Sequence, residues 1–498
     1  MSFQEEPRLA SNLNSNLNSG LNVVFAVSEF DGIVKTGGLA DAAGALAPVM
    51  KAAGHQVKVI MPAYRAALAK VPTDSIAGGG VRMNHNETLW FGIRHGQFRG
   101  TDVYFIEYDE FFGRGGIYGE GGQGYHDNSR RFAFFSKAVL ETCRILGFKP
   151  DVVHCHDWQT ALLPYYLRID ECGNPFFADT KSLLTIHNAA YQQKTDESQM
   201  ESLGIGWRYY NPACFEDFGM INILKGGIAF ADKINTVSPQ YARELLTPLG
   251  SHGLMESFKR RETDLSGILN GCDYTQWNPE TDALIPAHFS RANRSGKAEC
   301  KAALQQRIGL PVDHHKPVYG LVSRLAEQKG FDYLIPALWR FLHSDVQVVL
   351  LGSGEPHTAA ALEELAHAFP DKCRFYNGFE NQLAHWIEAG SDFFLMPSLF
   401  EPCGLNQIYS LKYGTLPIVR RVGGLSDTVA GFGEHHEQGT GFVFNSTDPN
   451  ELFDCLQTSL HVYYQHDLFG QMQDNAMSKS FTWEQAADAY CSVYHSLR

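Results

Sequence analysis

The chain lacks any Cys-x-x-Cys pair. Its ten cysteines stand singly at positions 143, 155, 172, 214, 272, 300, 373, 403, 455 and 491. That pattern gives neither a zinc ribbon nor a disulfide framework, and isolated cysteines fit a reducing compartment. There is no run of about eighteen apolar residues, so no membrane span is expected. The N-terminus shows no basic start followed by an apolar block, so it does not read as a secretory signal. Basic residues are outnumbered, 41 against 55 acidic, for a net charge of −14. A broad nucleic-acid surface is therefore not expected, although a local basic pocket is compatible with this balance. The P-loop spelling G-x-x-x-x-G-K-[ST] is also missing. These absences point to a soluble cytoplasmic protein with neither a membrane nor a nucleic acid as partner.

What is present is enough for two domains. A chain of 498 residues exceeds one ordinary core, and 44% hydrophobic with 19% charged residues describes a globular protein. Residues 1–20 end in "SNLNSNLNSG", a polar low-complexity tract that cannot bury a core and is expected to be disordered. Beyond it, short β-rich runs alternate with amphipathic stretches, which predicts parallel sheets covered by helices. In the first half the strands read as "NVVFAVSE", "QVKVIMP", "DVYFIEY", "DVVHCHD", "SLLTIHN" and "DKINTVS". In the second they read as "PVYGLVSR", "QVVLLGSG", "CRFYNGF", "FFLMPS" and "LPIVRR". The region from Arg261 to Ala298 is rich in turn residues and joins the two halves.

Both halves open alike, with a strand, a basic glycine-containing loop and a helix. Lys35 stands in "KTGG" after the first strand of one half, and Arg324 and Lys329 stand in "SRLAEQKG" after the first strand of the other. Ligands of open α/β sheets bind beyond the carboxyl ends of the strands, so two facing sheets would line a cleft with cations. A tight turn needs one glycine, and two beside a lysine suggest close approach of an anion to the backbone. Taken alone, "KTGG" fits a structural turn equally well, and loop cations are commonly solvated.

"HCHDW" (His154 to Trp158) ends a strand, where alternate side chains share a face. No second His/Cys cluster completes a tetrahedral metal site, which leaves a ligand-facing or a structural histidine. "SLFEPCGLNQIYSLKYG" is the most informative stretch. Glu401 follows a strand closely, and a helix starts after Cys403 and Gly404, so its first amides point toward a ligand. Glu401 serves there either as a ligand or as a helix cap, and Cys403 either as a reactive or as a packed thiol.

Together, "KTGGLADAAGALAPVMKAAGHQVKVIMPAY", "VVHCHDWQTALLPYYL", "LTIHNAAYQ", "GILNGCDYTQWNPETD", "VSRLAEQKGFDYL" and "PSLFEPCGLNQIYSLKYGTLPIVRRVGGLSDTV" resemble the bacterial glycogen synthases and plant starch synthases, in family order over about residues 21–496. The resemblance implies a GT-B fold, in which two Rossmann-like doubly wound domains face each other across a deep cleft. The domains would span residues 21–262, on the acceptor side, and 263–475, on the nucleotide-sugar side, with a C-terminal helix at 476–498 returning to the first. It implies transfer of glucose from ADP-glucose to the 4-hydroxyl at the non-reducing end of an α-1,4-glucan such as glycogen or starch, with retention and without metal or cofactor.

Carried over by position, Lys35 would contact the donor diphosphate, Gly38 would offer a backbone amide, and Asp41 would lie on the acceptor or nucleotide side. His156 would hydrogen-bond the transferred glucose and Asp127 would lie near its anomeric carbon. Asn270 and Glu401 would bind the sugar, while Cys403, Gly404 and Leu405 would present amides to it. Arg324 and Lys329 would neutralise the leaving diphosphate, and Thr428 would lie near the phosphates or ribose. Phe379 stands where relatives often carry a tyrosine stacked on adenine, which keeps the stacking and drops the hydroxyl. Tyr409 occupies the second acidic position of related transferases, as is usual in this family. Three other readings need separate tests: an α-glucan phosphorylase using pyridoxal phosphate, a catalytically silent glucan-binding homologue, and a nicotinamide-dependent dehydrogenase.

Overall fold

A computed structural model describes residues 20–433 and 438–498. The tract expected to be disordered, residues 1–20, lies outside the described residues except for Gly20. The chain divides into two compact units. The first comprises the chain up to Val237 together with Ala242–Ile268 and Trp483–Arg498, and the second comprises Ser238–Tyr241 and Leu269–Thr482.

The first unit is built on a nine-stranded sheet. In spatial order its strands are Leu265–Gly267, Lys233–Thr236, Lys181–Ile186, Val152–His156, Asn22–Ala26, Gln56–Pro62, Thr101–Glu107, Glu87–Phe98 and Asp74–Asn84. The first seven pair in parallel, and the last two add an antiparallel hairpin at the edge. The central strands are buried on both faces; all five residues of Val152–His156 are buried. For that reason they read as unbroken apolar runs rather than as alternation.

The edge hairpin is not visible in the apolar pattern because three glycines, Gly78–Gly80, interrupt its first strand. At Gly79 a Cβ would come within 2.6 Å of Ile145 Cδ1 and 3.3 Å of Glu141 Cγ, both on the long helix Asn128–Ile145 that lies against the strand. The single stretch spelled G-x-G-x-x-G, Gly119 to Gly124, forms a two-stranded hairpin instead of a strand-to-helix phosphate turn.

The second unit holds six parallel strands: Cys373–Asn377, Gln347–Gly352, Val318–Val322, Phe393–Met396, Leu416–Arg420 and Phe442–Phe444. Counted along the chain, this order is 3-2-1-4-5-6, the doubly wound arrangement of dinucleotide-binding sheets. Alternate residues feed two separate cores. Tyr319, Leu321, Val348 and Leu350 pack in one, and Val318, Val349 and Leu351 in the other. That is the period-two consequence of covering both faces of a sheet.

The first unit ends past the last residue of its strand Leu265–Gly267, at Ile268, where the sequence suggested residue 262. The chain rejoins it at Trp483, where the sequence suggested residue 476. The helix Trp483–Ser496 is tied in by buried polar contacts. Tyr494 OH lies 2.8 Å from His154 Nδ1, and Asn235 Nδ2 donates to Tyr490 OH at 2.9 Å.

Candidate active site

In a doubly wound sheet the strand order reverses beside the first strand, and the loops leaving the two strands at that point diverge to form a crevice. In the first unit those strands are Asn22–Ala26 and Val152–His156. The first leads into Glu29 and the "KTGG" turn, and the second ends on His156 and Asp157. In the second unit they are Val318–Val322 and Phe393–Met396. The first leads to Arg324 and Lys329, and the second to Glu401 and Cys403. Ten of the fourteen residues carried over by motif thus lie on or just beyond switch-point loops. The exceptions are Asp127, Asn270, Phe379 and Thr428.

The two glycine pairs behave in opposite ways. A Cβ on Gly37 or Gly38 would meet nothing within 4 Å, and Gly37 is extended at φ −159°. Neither packing nor backbone conformation requires glycine at Gly37, so the open space in front of this turn is free for a ligand. The pair Gly423–Gly424 is closed by the chain itself: Cβ atoms there would lie 1.9 Å from Glu401 O and 2.0 Å from Cys403 O, and Gly423 has φ +42°. This second pair lets its helix seat directly on the Glu401–Cys403 backbone, fixing that loop.

Around the first turn, Lys35 is half exposed and its Nζ lies 2.5 Å from Asp41 Oδ1 and 3.6 Å from Asp31 Oδ1. The N–H of Gly38 has no partner among the described residues. The amides of Thr36 and Gly37 are occupied by the buried Glu29 carboxylate.

At the end of the neighbouring strand the two histidines of "HCHDW" separate in role. His154 is satisfied at both ring nitrogens, by Tyr494 OH at 2.8 Å and Thr185 Oγ1 at 2.7 Å. His156 Nδ1 lies 3.0 Å from His187 Nε2, and its own Nε2 is buried without a hydrogen-bond partner. Burial holds His156 well below the ordinary histidine range, so the ring is neutral. Asp157, at φ +52°, accepts the N–H groups of His187 at 2.7 Å and Asn188 at 3.3 Å and so ties the two strand ends together. Among the described residues no group of three or more His, Cys, Asp or Glu could hold a metal ion.

Asp127, just ahead of the helix Asn128–Ile145, is not a free carboxylate. Arg114 grips it with both terminal nitrogens, NH1 to Oδ1 at 2.7 Å and NH2 to Oδ2 at 2.6 Å. Burial acts to raise its pKa, but the Arg114 hydrogen bonds and charge outweigh this and leave it below the usual carboxylate range.

In the second unit, Lys329 Nζ donates to Glu401 Oε2 at 2.6 Å, and Ser398 Oγ donates to the same oxygen at 2.9 Å. Glu401 therefore does not cap the helix Asn406–Lys412, whose start at Leu405 has no side-chain cap. The N–H groups of Gly404 and Leu405 have no partners among the described residues. Arg324 is exposed and has no ion-pair partner among them. Asn270 Oδ1 is buried and unpartnered. Phe379 is 75% exposed.

Two side chains are taken up inside the protein. Burial pushes the Cys403 thiol up to about 12, so it is a packed thiol rather than a reactive one. The Thr428 hydroxyl donates to Gly424 O at 2.6 Å and accepts from Gln407 Nε2 at 3.2 Å. Both hydrogen bonds brace the loop from within. Tyr409 is likewise structural, with its ring stacked on Trp277 at 4.0 Å and an interplanar angle of 3°.

The residues missed by motif reading are Glu29, Arg114, His187 and Ser398. Glu29, His187 and Ser398 follow strand ends, the same placement that singles out His156.

Comparison with known proteins agrees with this geometry. Residues 22–260 match the model of the starch synthase catalytic domain, and residues 304–467 match that of glycosyl transferases group 1. A glycogen synthase of Aeromonas salmonicida is 46% identical over 95% of this chain and 97% of its own. One from Vibrio cholerae is 44% identical over 96% and 99%. Among solved structures, the catalytic domain of starch synthase IV from Arabidopsis thaliana, bound to ADP and acarbose, superposes with a TM-score of 0.87 at 32% identity, covering 96% of this chain and 99% of that one. With open glycine amides, a lysine–glutamate pair at a switch point and relatives of this closeness over nearly the whole chain, the protein belongs to the glycogen synthase and starch synthase family of GT-B glycosyltransferases.

Proposed function

We propose that the protein transfers glucose from ADP-glucose to the non-reducing-end 4-hydroxyl of an α-1,4-glucan, with retention of anomeric configuration, in the cytoplasm. The observation that carries this reading is the Lys329–Glu401 pair at the second switch point. It sets a cation suited to a diphosphate beside a carboxylate suited to sugar hydroxyls. ADP and acarbose, the ligands of the starch synthase IV structure, support a nucleotide-sugar donor and a glucan acceptor.

Glycosyl transfer passes through an oxocarbenium-like state, in which positive charge grows on the ring and negative charge on the departing diphosphate. Lys35, Arg324, Lys329 and the N–H groups of Gly38, Gly404 and Leu405 stabilise the negative charge. The backbone amides among them are fixed donors, which cost no reorganisation as the bond breaks. Asp127, kept ionised by Arg114, stabilises the positive charge, and the neutral His156 ring offers its unpartnered Nε2 to a glucose hydroxyl. Asn270 Oδ1 accepts a sugar hydroxyl, a role supported by its being buried and unpartnered. The departing phosphate oxygen takes the proton of the acceptor hydroxyl. Phe379 stacks on the base.

The test is release of ADP from ADP-glucose, measured with and without glycogen and repeated with UDP-glucose. Glycogen-dependent release of ADP supports the reading. Glycogen-independent hydrolysis, or no turnover of either donor, overturns it.

A further inference from the structure

Glu29 is almost fully buried, at 3% exposure, and a carboxylate in that position is costly unless its oxygens are fully satisfied. They are satisfied by two different parts of the first unit. Oε2 accepts the backbone N–H groups of Thr36 and of Gly37, the latter at 3.3 Å. Oε1 accepts Thr36 Oγ1 at 2.7 Å and Tyr118 OH at 2.6 Å.

The contacts to Thr36 and Gly37 would be explained by a carboxylate bracing its own turn. The contact to Tyr118 would not, because it reaches a segment 89 residues further along the chain. That segment is itself held rigidly. Tyr118 O accepts from Asn128 Nδ2 at 2.9 Å. The fully buried Arg131 donates to Asn128 Oδ1 at 2.7 Å, Ile117 O at 3.0 Å and Phe111 O at 2.6 Å. The same segment supplies Arg114, which holds Asp127. One buried carboxylate therefore joins the turn that carries Lys35 to the loop that carries Asp127.

We propose that Glu29, through Tyr118, is the positioning residue that fixes the Lys35 turn against the Asp127 loop. It acts on the substrate only through those two side chains. Lys35 is 47% exposed on a long flexible stem, so its reach is set by the turn that Glu29 closes. This inference rests on the reading that Lys35 serves the donor, and the experiment separates the two.

The test is a double-mutant cycle on kcat for glucosyl transfer from ADP-glucose to glycogen, using the full chain. Tyr118→Phe removes one hydroxyl that has no contact with Lys35. It should lower kcat about tenfold with little change in Tm, and in a Lys35→Ala background it should cost much less than tenfold, the remainder passing through Asp127. A side chain that served only overall stability would give losses that multiply. Glu29→Gln keeps one oxygen for the two amides and offers N–H groups to the two hydroxyls, so it should recover most of the kcat that Glu29→Ala loses. Multiplying losses for Tyr118→Phe and Lys35→Ala, or wild-type kcat in Glu29→Ala, would overturn the proposal and leave the reading of Lys35 intact. Wild-type kcat in Lys35→Ala would overturn that reading, and with it the Glu29 proposal. Should Glu29→Ala fail to fold, the Tyr118/Lys35 cycle decides.

Discussion

Lys329 and Glu401 stand 72 residues apart in the sequence and meet at 2.6 Å, with Ser398 donating to the same carboxylate oxygen. Their side chains are 19% and 9% exposed, so each neutralises a charge that would otherwise be largely desolvated. Removing one partner of such a pair costs on the order of 3–5 kcal/mol where burial is complete, and less where it is partial. Lys329→Ala should therefore lower both Tm and kcat. Adding Glu401→Gln should restore much of the Tm and none of the kcat. Thermal melts run beside steady-state kinetics separate the two effects, and a change confined to KM would argue against a role for Lys329 in leaving-group departure.

The two glycine pairs predict opposite phenotypes for the same substitution. At Gly37 and Gly38 an added Cβ meets nothing within 4 Å, so alanine should leave Tm nearly unchanged and weaken donor use. At Gly424 the Cβ would fall 2.0 Å from Cys403 O, so alanine should destabilise the fold before it affects binding. A Gly38→Ala variant with unaltered donor KM and kcat would show that nothing approaches that turn.

Acid should destabilise the first unit earlier than its carboxylates alone would. Burial holds His154 and His156 well below the ordinary histidine range and lowers His187 to about 3. The folded unit keeps these rings neutral while the unfolded chain protonates them below about pH 6.5, so their contribution is complete above that pH and is lost as pH falls. Each histidine gives a slope of about 1.4 kcal/mol per pH unit. Asp157, raised by burial to about 7, offsets one of the three between there and the usual carboxylate range. Tm measured from pH 7 to 4 should fall steadily, and His187→Gln should flatten the slope by one proton. A Tm constant over that range would contradict the assignment.

Phe379, largely exposed, offers a flat ring without the tyrosine hydroxyl. Phe379→Ala should raise KM for ADP-glucose with a smaller change in kcat, because stacking on the base, its proposed role, would act equally on substrate and transition state. Phe379→Tyr should keep the stacking, and any change in the ADP-glucose to UDP-glucose ratio then reports the hydroxyl alone.

Much of this could be read from the residues in order. Ten of the eleven strands read from the sequence are interior ones and show as apolar runs because parallel strands are buried on both faces, whereas Cys373–Asn377 is an edge strand with only its first residue buried. The loops that carry Lys35, His156, Arg324, Lys329 and Glu401 show because each directly follows such a run. These are local properties, set by side-chain type and by spacing along the backbone.

Tertiary structure decided what each loop residue faces. Sequence spacing could not distinguish the satisfied His154 from the half-partnered His156 two residues on, since both share one face of one strand. Nor could it show that Arg114 holds Asp127, that Tyr118 reaches Glu29, or that one glycine pair is open and the other closed. Each of those facts depends on the distance between segments that only sheet order and helix packing bring together. A side chain's hydrogen-bond partner, and with it its protonation and chemical role, is fixed by that neighbourhood and not by the residue itself.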